Sequence, residues 1–296
     1  MGDESGLVST GWLAGHLEDD GLVVVDMRWR EDGSGSALYR DGHIAGARGL
    51  DWTSDIVDPQ ADTAFMVARA GPFALAMERL GIGDDTRVVA YADQLGSGPH
   101  RLWWASRLYG HDNVRVLDGG LDKWVTEGLP LTTEVPEPES VRWTPRPSLS
   151  RVATADDVAS AEASGVAVLD ARNQQQFRGE FVWYETGQIR AKADGIALTP
   201  RGEIRAGRVP WARNIPFSRL YRPDMTMKSP EELRELFGEA GLPRDASAIT
   251  YCGVGISACA LLFALTRAGI EDVALYDGSW EDWGRDPRRP VTRGPG

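Results

Sequence analysis

The sequence predicts an α/β fold in two tandem domains, each a mainly parallel sheet flanked by helices. Three observations support this prediction: a long internal repeat, short apolar segments, and helical segments between them. The apolar segments, such as Leu22–Asp26 (LVVVD) and Val166–Asp170 (VAVLD), do not alternate with polar residues. Strands that are apolar on successive residues are buried on both faces, which is typical of a parallel sheet.

The repeat relates the two halves of the chain. The corresponding segments are Arg87–Tyr91 (RVVAY) with Ser247–Tyr251 (SAITY), and Val114–Gly119 (VRVLDG) with Val273–Gly278 (VALYDG). The offset is 159 residues between Asp118 and Asp277 and 160 residues between Tyr91 and Tyr251. An offset that stays constant across such different segments indicates a duplicated domain.

A proline-rich segment separates the two halves. Pro130–Ser150 contains five prolines, which exclude a regular helix and favour an extended connection. We therefore predict a first domain over residues 1–135 and a second over residues 148–296. In the second domain, a helix is predicted to begin after the N-cap residue Ser229, which Pro230 follows.

Composition and charge exclude several classes of function. A net charge of −12 argues against nucleic-acid binding, because the phosphate backbone requires clustered lysine and arginine. No apolar run reaches the ~18–20 residues that cross a bilayer, and no secretory signal precedes the first strand, so we expect no membrane association and a reducing cytoplasm. No cluster has metal-ligand spacing, and neither a metal nor a cofactor is expected.

The predicted chemistry lies in the segment after Tyr251. Tyr251 ends a buried strand, and Cys252 follows it directly. The loop Gly253-Val254-Gly255-Ile256-Ser257 comes next and leads into an apolar helix that contains Cys259. The two glycines let backbone N–H groups turn inward, and the helix N-terminus adds positive potential. Both effects stabilise a thiolate. We predict that Cys252 is the nucleophile, that the loop binds an anion, and that Cys259 is a core residue.

Three interpretations of this loop compete. Gly253, Gly255 and Ala258 match a dinucleotide-binding fingerprint, but too little chain follows them for the rest of that fold. A cysteine phosphatase needs an arginine six residues after the cysteine, where this chain has Ala258. The third interpretation is sulfur transfer through a persulfide on Cys252, whose negative charge the loop N–H groups would stabilise.

The chain resembles the tandem-domain sulfurtransferases of the rhodanese family over nearly its whole length. The motifs that carry the resemblance are Gly42–Ala47 (GHIAGA), Gly207–Pro216 (GRVPWARNIP), Asp118–Trp124 (DGGLDKW) and Tyr276–Trp280 (YDGSW). The resemblance implies two rhodanese-like α/β domains, of which only the second is catalytic. In agreement, the counterpart of Cys252 in the first half is Ala92, which carries no nucleophile.

The resemblance also implies the partners of the reaction. The donor would be a small anion, thiosulfate or 3-mercaptopyruvate, and the acceptor cyanide, a thiol or a thioredoxin-like protein. The uncharged loop is nearer the mercaptopyruvate type of the family. Arg178, in Phe177-Arg178-Gly179, resembles the substrate arginine of the family, with an ordinary surface arginine as the alternative. Arg190 is the nearest candidate for a second substrate arginine.

The mercaptopyruvate enzymes of the family use an acid–histidine–serine relay. Asp32 and His43 fall at matching positions, but Val254 stands where the serine is expected and has no hydroxyl. His43 has a structural alternative, in which it bonds its own turn. We predict a sulfurtransferase with a ping-pong mechanism. The alternative is a non-catalytic sulfur carrier or a protein-binding rhodanese module.

Overall fold

The computed structural model describes residues 6–184 and 187–295, and it divides into two compact units. Unit 1 contains residues 6–59, 67–149 and 221–227. Unit 2 contains residues 60–66, 150–220 and 228–295. The short segments 60–66 and 221–227 therefore belong to the unit formed mainly by the other half of the chain, which the sequence did not predict.

Unit 1 is built around a five-stranded parallel sheet with the strand order β1-β5-β4-β2-β3. Its strands are β1 (Leu7–Val8), β2 (Leu22–Asp26), β3 (Ala47–Gly49), β4 (Arg87–Tyr91) and β5 (Val114–Leu117). Its helices are α1 (Thr10–Ala14), α2 (Gly35–Asp41), α3 (Ala70–Arg79), α4 (Gly98–Leu108) and α5 (Gly120–Thr126). The predicted strand Leu22–Asp26 is confirmed with the same bounds.

Unit 2 repeats this plan with a five-stranded parallel sheet of order β12-β7-β13-β14-β6. The strands of this sheet are β6 (Val152–Ala153), β7 (Ala167–Asp170), β12 (Arg213–Asn214), β13 (Ala248–Tyr251) and β14 (Val273–Tyr276). The helices are α6 (Ala155–Ser164), α7 (Gln174–Phe177), α8 (Pro230–Glu239), α9 (Ser257–Arg267) and α10 (Ser279–Trp283). The prediction of two α/β domains with mainly parallel sheets is confirmed.

Two antiparallel hairpins between α7 and β12 distinguish unit 2 from unit 1. They consist of β8 (Phe181–Tyr184) with β9 (Gly187–Arg190), and β10 (Ile196–Thr199) with β11 (Gly202–Arg205). These two hairpins were not predicted from the sequence. Their strands are short and largely half-buried or exposed, so they lack the continuous apolar pattern by which the sheet strands were found.

Local sequence signals determine where α8 begins. They also determine the irregular course of the proline-rich segment. The Ser229 hydroxyl accepts the N–H of Glu232, and the Glu232 side chain accepts the N–H of Ser229, which forms a capping box. The predicted helix start at Pro230 is confirmed. Residues 133–148 form neither helix nor strand, as their prolines predict.

Each unit holds the same buried ion pair at the carboxyl end of the strand next to its central strand, β2 in unit 1 and β7 in unit 2. Arg28 Nη2 lies 2.7 Å from Asp26 Oδ2 in unit 1, and Arg172 Nη2 lies 2.6 Å from Asp170 Oδ2 in unit 2. Arg28 also donates to the carbonyl of Gly42, and Arg172 to that of Gly207. Each aspartate also accepts the backbone N–H of its arginine and so anchors the loop that follows its strand. Because the network occurs in both units, it belongs to the scaffold rather than to chemistry at Cys252.

Acid destabilisation of unit 1 is expected to depend on His100. This side chain in α4 is 3% exposed, and burial lowers its pKa from 6.5 to about 3. The unfolded chain therefore binds the proton more readily, so the stabilisation is complete above pH 6.5 and declines as the pH falls towards 3. At 1.36 kcal/mol per pH unit, moving from pH 7.5 to pH 5 should lower the free energy of unfolding by about 2 kcal/mol through this group.

Urea unfolding of wild type and His100→Gln at pH 7.5 and pH 5 measures this contribution. The variant should lose less stability between the two pH values than wild type does, by about 2 kcal/mol. His16→Gln, at a half-buried position in unit 1, is the matched control and should retain the wild-type pH dependence. An equal loss in wild type and His100→Gln would show that His100 is not the responsible group.

Candidate active site

Cys252 lies at the carboxyl end of β13, the central strand of the unit 2 sheet. It is a free cysteine, 2% exposed, and the loop that it begins leads directly into α9. On the strand side, the N–H of Ala171 donates to the carbonyl of Tyr251 over 2.9 Å, and the Thr250 hydroxyl donates to the carbonyl of Ala258. These bonds fix both ends of the loop to the sheet, so Cys252 has a rigid base.

The loop presents backbone N–H groups that have no acceptor among residues 6–184 and 187–295. Within the described part of the chain, no acceptor is found for the N–H of any residue from Gly253 to Ala258. Gly255 has a φ of +80°, a left-handed conformation that glycine adopts without strain. Buried N–H groups in proteins normally have a hydrogen-bond acceptor. The N–H groups of this loop lie at the N-terminus of α9, a helix of 11 residues whose dipole adds positive potential there. The loop therefore has the donors and the potential that an anion requires.

The loop is held from a second side by the turn between β14 and α10. The Cys252 N–H donates to the hydroxyl of Ser279 over 3.1 Å. In return, the N–H groups of Trp280 and Glu281 donate to the carbonyls of Cys252 and Gly253 over 3.0 and 2.9 Å. The segment Tyr276–Trp280 is a recognisable motif in the sequence. Its hydrogen bonds to the Cys252 loop were not predictable, because they join residues that lie 27 positions apart.

An aromatic side chain from the first hairpin of unit 2 lies next to the loop. A Cβ atom placed on Gly253 would lie 3.7 Å from the Cβ of Trp183 in β8. The ring centroid of Phe65, which unit 2 includes, is 6.1 Å from that of Trp183. Phe65 has a φ of 60°, a conformation that bulky side chains rarely adopt. Both residues were missed from sequence, since neither belongs to the motif that contains Cys252.

The second cysteine has the environment of a core residue. Cys259 lies in α9, is fully buried, and its thiol donates to the carbonyl of Gly255 over 3.1 Å. This contact continues the helical turn and leaves the sulfur within the helix. The prediction that Cys259 lies in the core is confirmed.

The counterpart position in unit 1 has the same backbone arrangement and no nucleophile. Ala92 follows β4 as Cys252 follows β13, and its carbonyl accepts the N–H of Leu121 over 2.9 Å. The neighbouring Asp93 forms an ion pair with Arg30 over 2.6 Å. A methyl side chain at this position offers no group for covalent chemistry, so the duplicated loop retains the fold without a reactive sulfur.

The two candidate substrate arginines lie elsewhere in unit 2. Arg178 lines a cavity of about 620 Å³ whose described lining also includes Arg208, Arg213 and Arg219, and Cys252 is not among these residues. The Arg190 guanidinium packs 4.6 Å from the ring centroid of Phe181. Among the described residues, no contact joins either arginine to Cys252. Their roles in binding substrate stay predictions.

The candidate relay residues of unit 1 have local partners. His43 is fully buried, with Nδ1 2.8 Å from the carbonyl oxygen of Tyr39 and Nε2 3.0 Å from that of Glu134. Asp32 is exposed, and hydrogen bonds from the Ser34 side chain and from the Ser34 N–H lower the pKa of its carboxyl. These contacts match the structural alternative for His43, and the relay stays a prediction.

The described residues contain no group of three or more His, Cys, Asp or Glu side chains placed to hold a metal ion. None of the helices described in the structure combines the length and the apolar character that crossing a bilayer requires.

Comparison with protein families decides the identity of the fold. The model of the rhodanese-like domain matches residues 9–127 and 154–286, one match in each half. This chain belongs to the rhodanese family. The two matches agree with the internal repeat, and the second contains Cys252 with its loop.

Relatives in the rhodanese family match this chain from end to end. The sulfur carrier protein TtuD of Thermus thermophilus is 37% identical, covering 97% of this chain and 96% of its own. A putative thiosulfate sulfurtransferase of Saccharopolyspora erythraea is 34% identical, covering 96% and 95%. The crystal structure of SseA from Escherichia coli, described as a 3-mercaptopyruvate sulfotransferase, superposes with a TM-score of 0.79 at 29% identity, covering 93% of this chain and 98% of SseA.

Proposed function

We propose that this protein is a sulfurtransferase that carries the transferred sulfur as a persulfide on Cys252. The observation that supports this most directly is the free cysteine followed by backbone N–H groups, from Gly253 to Ala258, for which the described chain supplies no acceptor. A thiolate gains stability from such donors, and the terminal sulfur of a persulfide is also an anion. A role in binding a negatively charged sulfur explains why so many N–H groups of the loop remain available as hydrogen-bond donors.

The first half-reaction loads the cysteine. The Cys252 thiolate attacks the outer sulfur of the donor and forms an S–S bond, while the bond between that sulfur and the rest of the donor breaks. With thiosulfate, sulfite leaves with the bonding electron pair. With 3-mercaptopyruvate, the enolate of pyruvate leaves and takes up a proton. The loop N–H groups stabilise the charge on the sulfur throughout this step.

The second half-reaction returns the cysteine to its starting state. A nucleophilic acceptor, such as cyanide or a thiolate, attacks the outer sulfur of the persulfide. The S–S bond breaks, the acceptor keeps the sulfur, and Cys252 leaves as a thiolate. Because one site serves both half-reactions in turn, the kinetics are ping-pong. The proposal includes a reducing, cytoplasmic compartment, in which Cys252 would stay free.

A sulfur carrier is the second candidate function, because TtuD, which bears that name, is 37% identical over nearly the whole chain. A carrier would load Cys252 and then release the sulfur only to a particular protein. Steady-state assays with thiosulfate or 3-mercaptopyruvate and with cyanide or dithiothreitol separate the two functions. Continuous turnover supports the enzyme. A single loading event, seen as one added sulfur in the intact mass and no further product, supports the carrier.

The preferred donor is the finer part of the proposal, and we favour 3-mercaptopyruvate. The loop contains no cation, so a compact dianion such as thiosulfate gains little beside the sulfur. The carboxylate of mercaptopyruvate is several atoms from its sulfur, where a more distant arginine such as Arg178 can bind it. Val254 opposes this preference, because it offers no hydroxyl to protonate the leaving enolate.

Val254→Ser should raise kcat with 3-mercaptopyruvate by about 10-fold and leave kcat with thiosulfate within about twofold, since only the enolate needs a proton. Parallel assays of wild type and variant with both donors measure this difference. Val254→Ala is the matched control, which removes bulk without adding a hydroxyl. Turnover of thiosulfate alone by wild type and by Val254→Ser would refute the preference for mercaptopyruvate.

A further inference from the structure

The backbone of Ser279 adopts a conformation that is unusual for its residue type. Ser279 is the first residue of α10, is fully buried, and has a φ of +51°. L-residues other than glycine rarely adopt a left-handed conformation, because the Cβ atom crowds the neighbouring backbone. Such a conformation persists only where the surroundings enforce it, and it is concentrated at functional sites.

The duplicated fold supplies an internal comparison for this position. Gly120 is the first residue of α5 in unit 1, and it has nearly the same φ, +57°. The backbone contacts agree as well, because Leu121 donates to the carbonyl of Ala92 as Trp280 donates to that of Cys252. The preceding glycines differ, with a φ of +80° at Gly119 and −59° at Gly278, but the positive φ at the first helical position is shared. It is adopted by an unstrained glycine in the unit without a cysteine and by a strained serine in the unit with one.

The space around the two positions also differs. A Cβ atom built on Gly120 would lie 2.4 Å from the carbonyl oxygen of Ala92, which no side chain tolerates without movement. Unit 2 accommodates the Ser279 side chain at the corresponding place, next to the backbone of Cys252. Unit 2 therefore differs from unit 1 in a way that makes room for a hydroxyl.

The hydroxyl of Ser279 makes two hydrogen bonds. It donates to the carbonyl of Tyr276 over 2.9 Å and accepts the N–H of Cys252 over 3.1 Å. It thereby connects the reactive cysteine to the end of β14 through a group that glycine lacks. Together with the bond from Trp280 to the Cys252 carbonyl, it fixes both polar groups of the Cys252 backbone.

We propose that Ser279 is a positioning residue for the persulfide site, an inference that rests on the proposed role of Cys252. The backbone strain at Ser279 is retained because its hydroxyl orients the Cys252 backbone, and with it the sulfur, relative to the N–H groups that begin at Gly253. Correct orientation of a nucleophile contributes strongly to rate, and small displacements of the reacting atom are costly. Ser279 therefore acts on the rate of persulfide formation rather than on the fold.

The test is to replace Ser279 by glycine, alanine and threonine. Ser279→Gly relieves the strain but removes the hydroxyl, so its unfolding midpoint should equal or exceed that of wild type while persulfide loading slows by about 10- to 100-fold. Ser279→Ala should slow loading equally and be less stable than Ser279→Gly. Ser279→Thr restores the hydroxyl and should recover much of the loading rate, although its β-branched side chain lowers stability.

To measure loading, the protein is mixed with thiosulfate or 3-mercaptopyruvate as the donor, and the reaction is quenched at set times. The intact mass of the protein is then recorded for each time. This readout does not require turnover, so it applies to an enzyme and to a carrier. Gln94→Gly is the matched control, because Gln94 has the same φ of 51° on the exposed loop of unit 1 that lacks a cysteine. It relieves backbone strain and should leave the loading rate unchanged.

Two outcomes would overturn the proposal. Loading at the wild-type rate by Ser279→Gly would show that the hydroxyl is dispensable. Loss of loading in strict proportion to loss of stability across the three variants would show that Ser279 is only structural. Cys252→Ser distinguishes these results from failure of the proposed function. If Cys252→Ser still gains sulfur, the persulfide assignment is wrong. If Cys252→Ser gains no sulfur and Ser279→Gly loads at the wild-type rate, only the role of Ser279 is refuted.

Discussion

Cys252→Ser should lower sulfur transfer at least about 1000-fold, whereas Cys259→Ser should retain most of it. An alcohol at neutral pH is a poor nucleophile towards sulfur, and serine offers no thiol on which to carry a persulfide. Cys252 follows the central strand and lies beside N–H groups for which the described residues supply no acceptor, but the thiol of Cys259 bonds to the Gly255 carbonyl at the start of its own helix. The two sulfur atoms are therefore expected to differ completely in function.

Intact-protein mass and steady-state rates together measure this difference. After treatment with donor, wild type and Cys259→Ser should each gain one sulfur atom, which cyanide removes, and Cys252→Ser should gain none. Cys259→Ser is the matched control because it makes the same chemical change in the same unit. A serine hydroxyl can donate to the Gly255 carbonyl as the thiol does, so the control should fold with little loss of stability. An inactive Cys259→Ser with an active Cys252→Ser would reverse the assignment.

The fold and the loop that surrounds Cys252 were predictable because their signals are local in the sequence. Continuous apolar strands such as Leu22–Asp26, repeated at a fixed offset, define the parallel sheets of both units. Cys252, the glycine-rich loop and α9 are contiguous, so their order along the chain already implies their arrangement. The sequence also shows directly that the counterpart of Cys252 in the first half is Ala92 and not a cysteine.

Other parts of the site were not predictable, because they depend on where the chain returns and on which conformation it adopts there. The bond between Ser279 and Cys252 joins the first residue of α10 to the loop after β13, and its significance rests on a φ that the sequence does not display. Trp183 approaches Gly253 from a hairpin whose strands carry no distinctive pattern. Motif resemblance predicts that Arg178 binds the substrate, and this role stays a prediction, because the described lining of the cavity that Arg178 helps to form does not include Cys252.

Asp170→Asn should lower the free energy of unfolding by about 3–5 kcal/mol, because it leaves the buried guanidinium of Arg172 without a counter-charge. The two side chains are 0% and 3% exposed, and Asp170 receives the backbone N–H, Nε and Nη2 of Arg172. Burial lowers the pKa of Arg172, but the charge of Asp170, the interaction with Tyr251 and the hydrogen bonds to both together more than offset that effect, so the pKa is raised and the arginine stays charged. Urea unfolding at neutral pH measures the loss.

Asp26→Asn, which breaks the equivalent pair with Arg28 in unit 1, is the matched control and should cost a similar amount. The double variant of Asp170→Asn with Arg172→Met should recover at least half of the lost stability, since it removes the buried charge altogether and Met fills a similar volume. Loss of less than about 1 kcal/mol in Asp170→Asn would mean that water or a neighbouring group compensates Arg172. Failure of the double variant to recover stability would instead assign the cost to the hydrogen bonds of Asp170 rather than to its charge. The expected recovery would identify the ion pair as an electrostatic anchor for the carboxyl end of β7, next to the strand that bears Cys252.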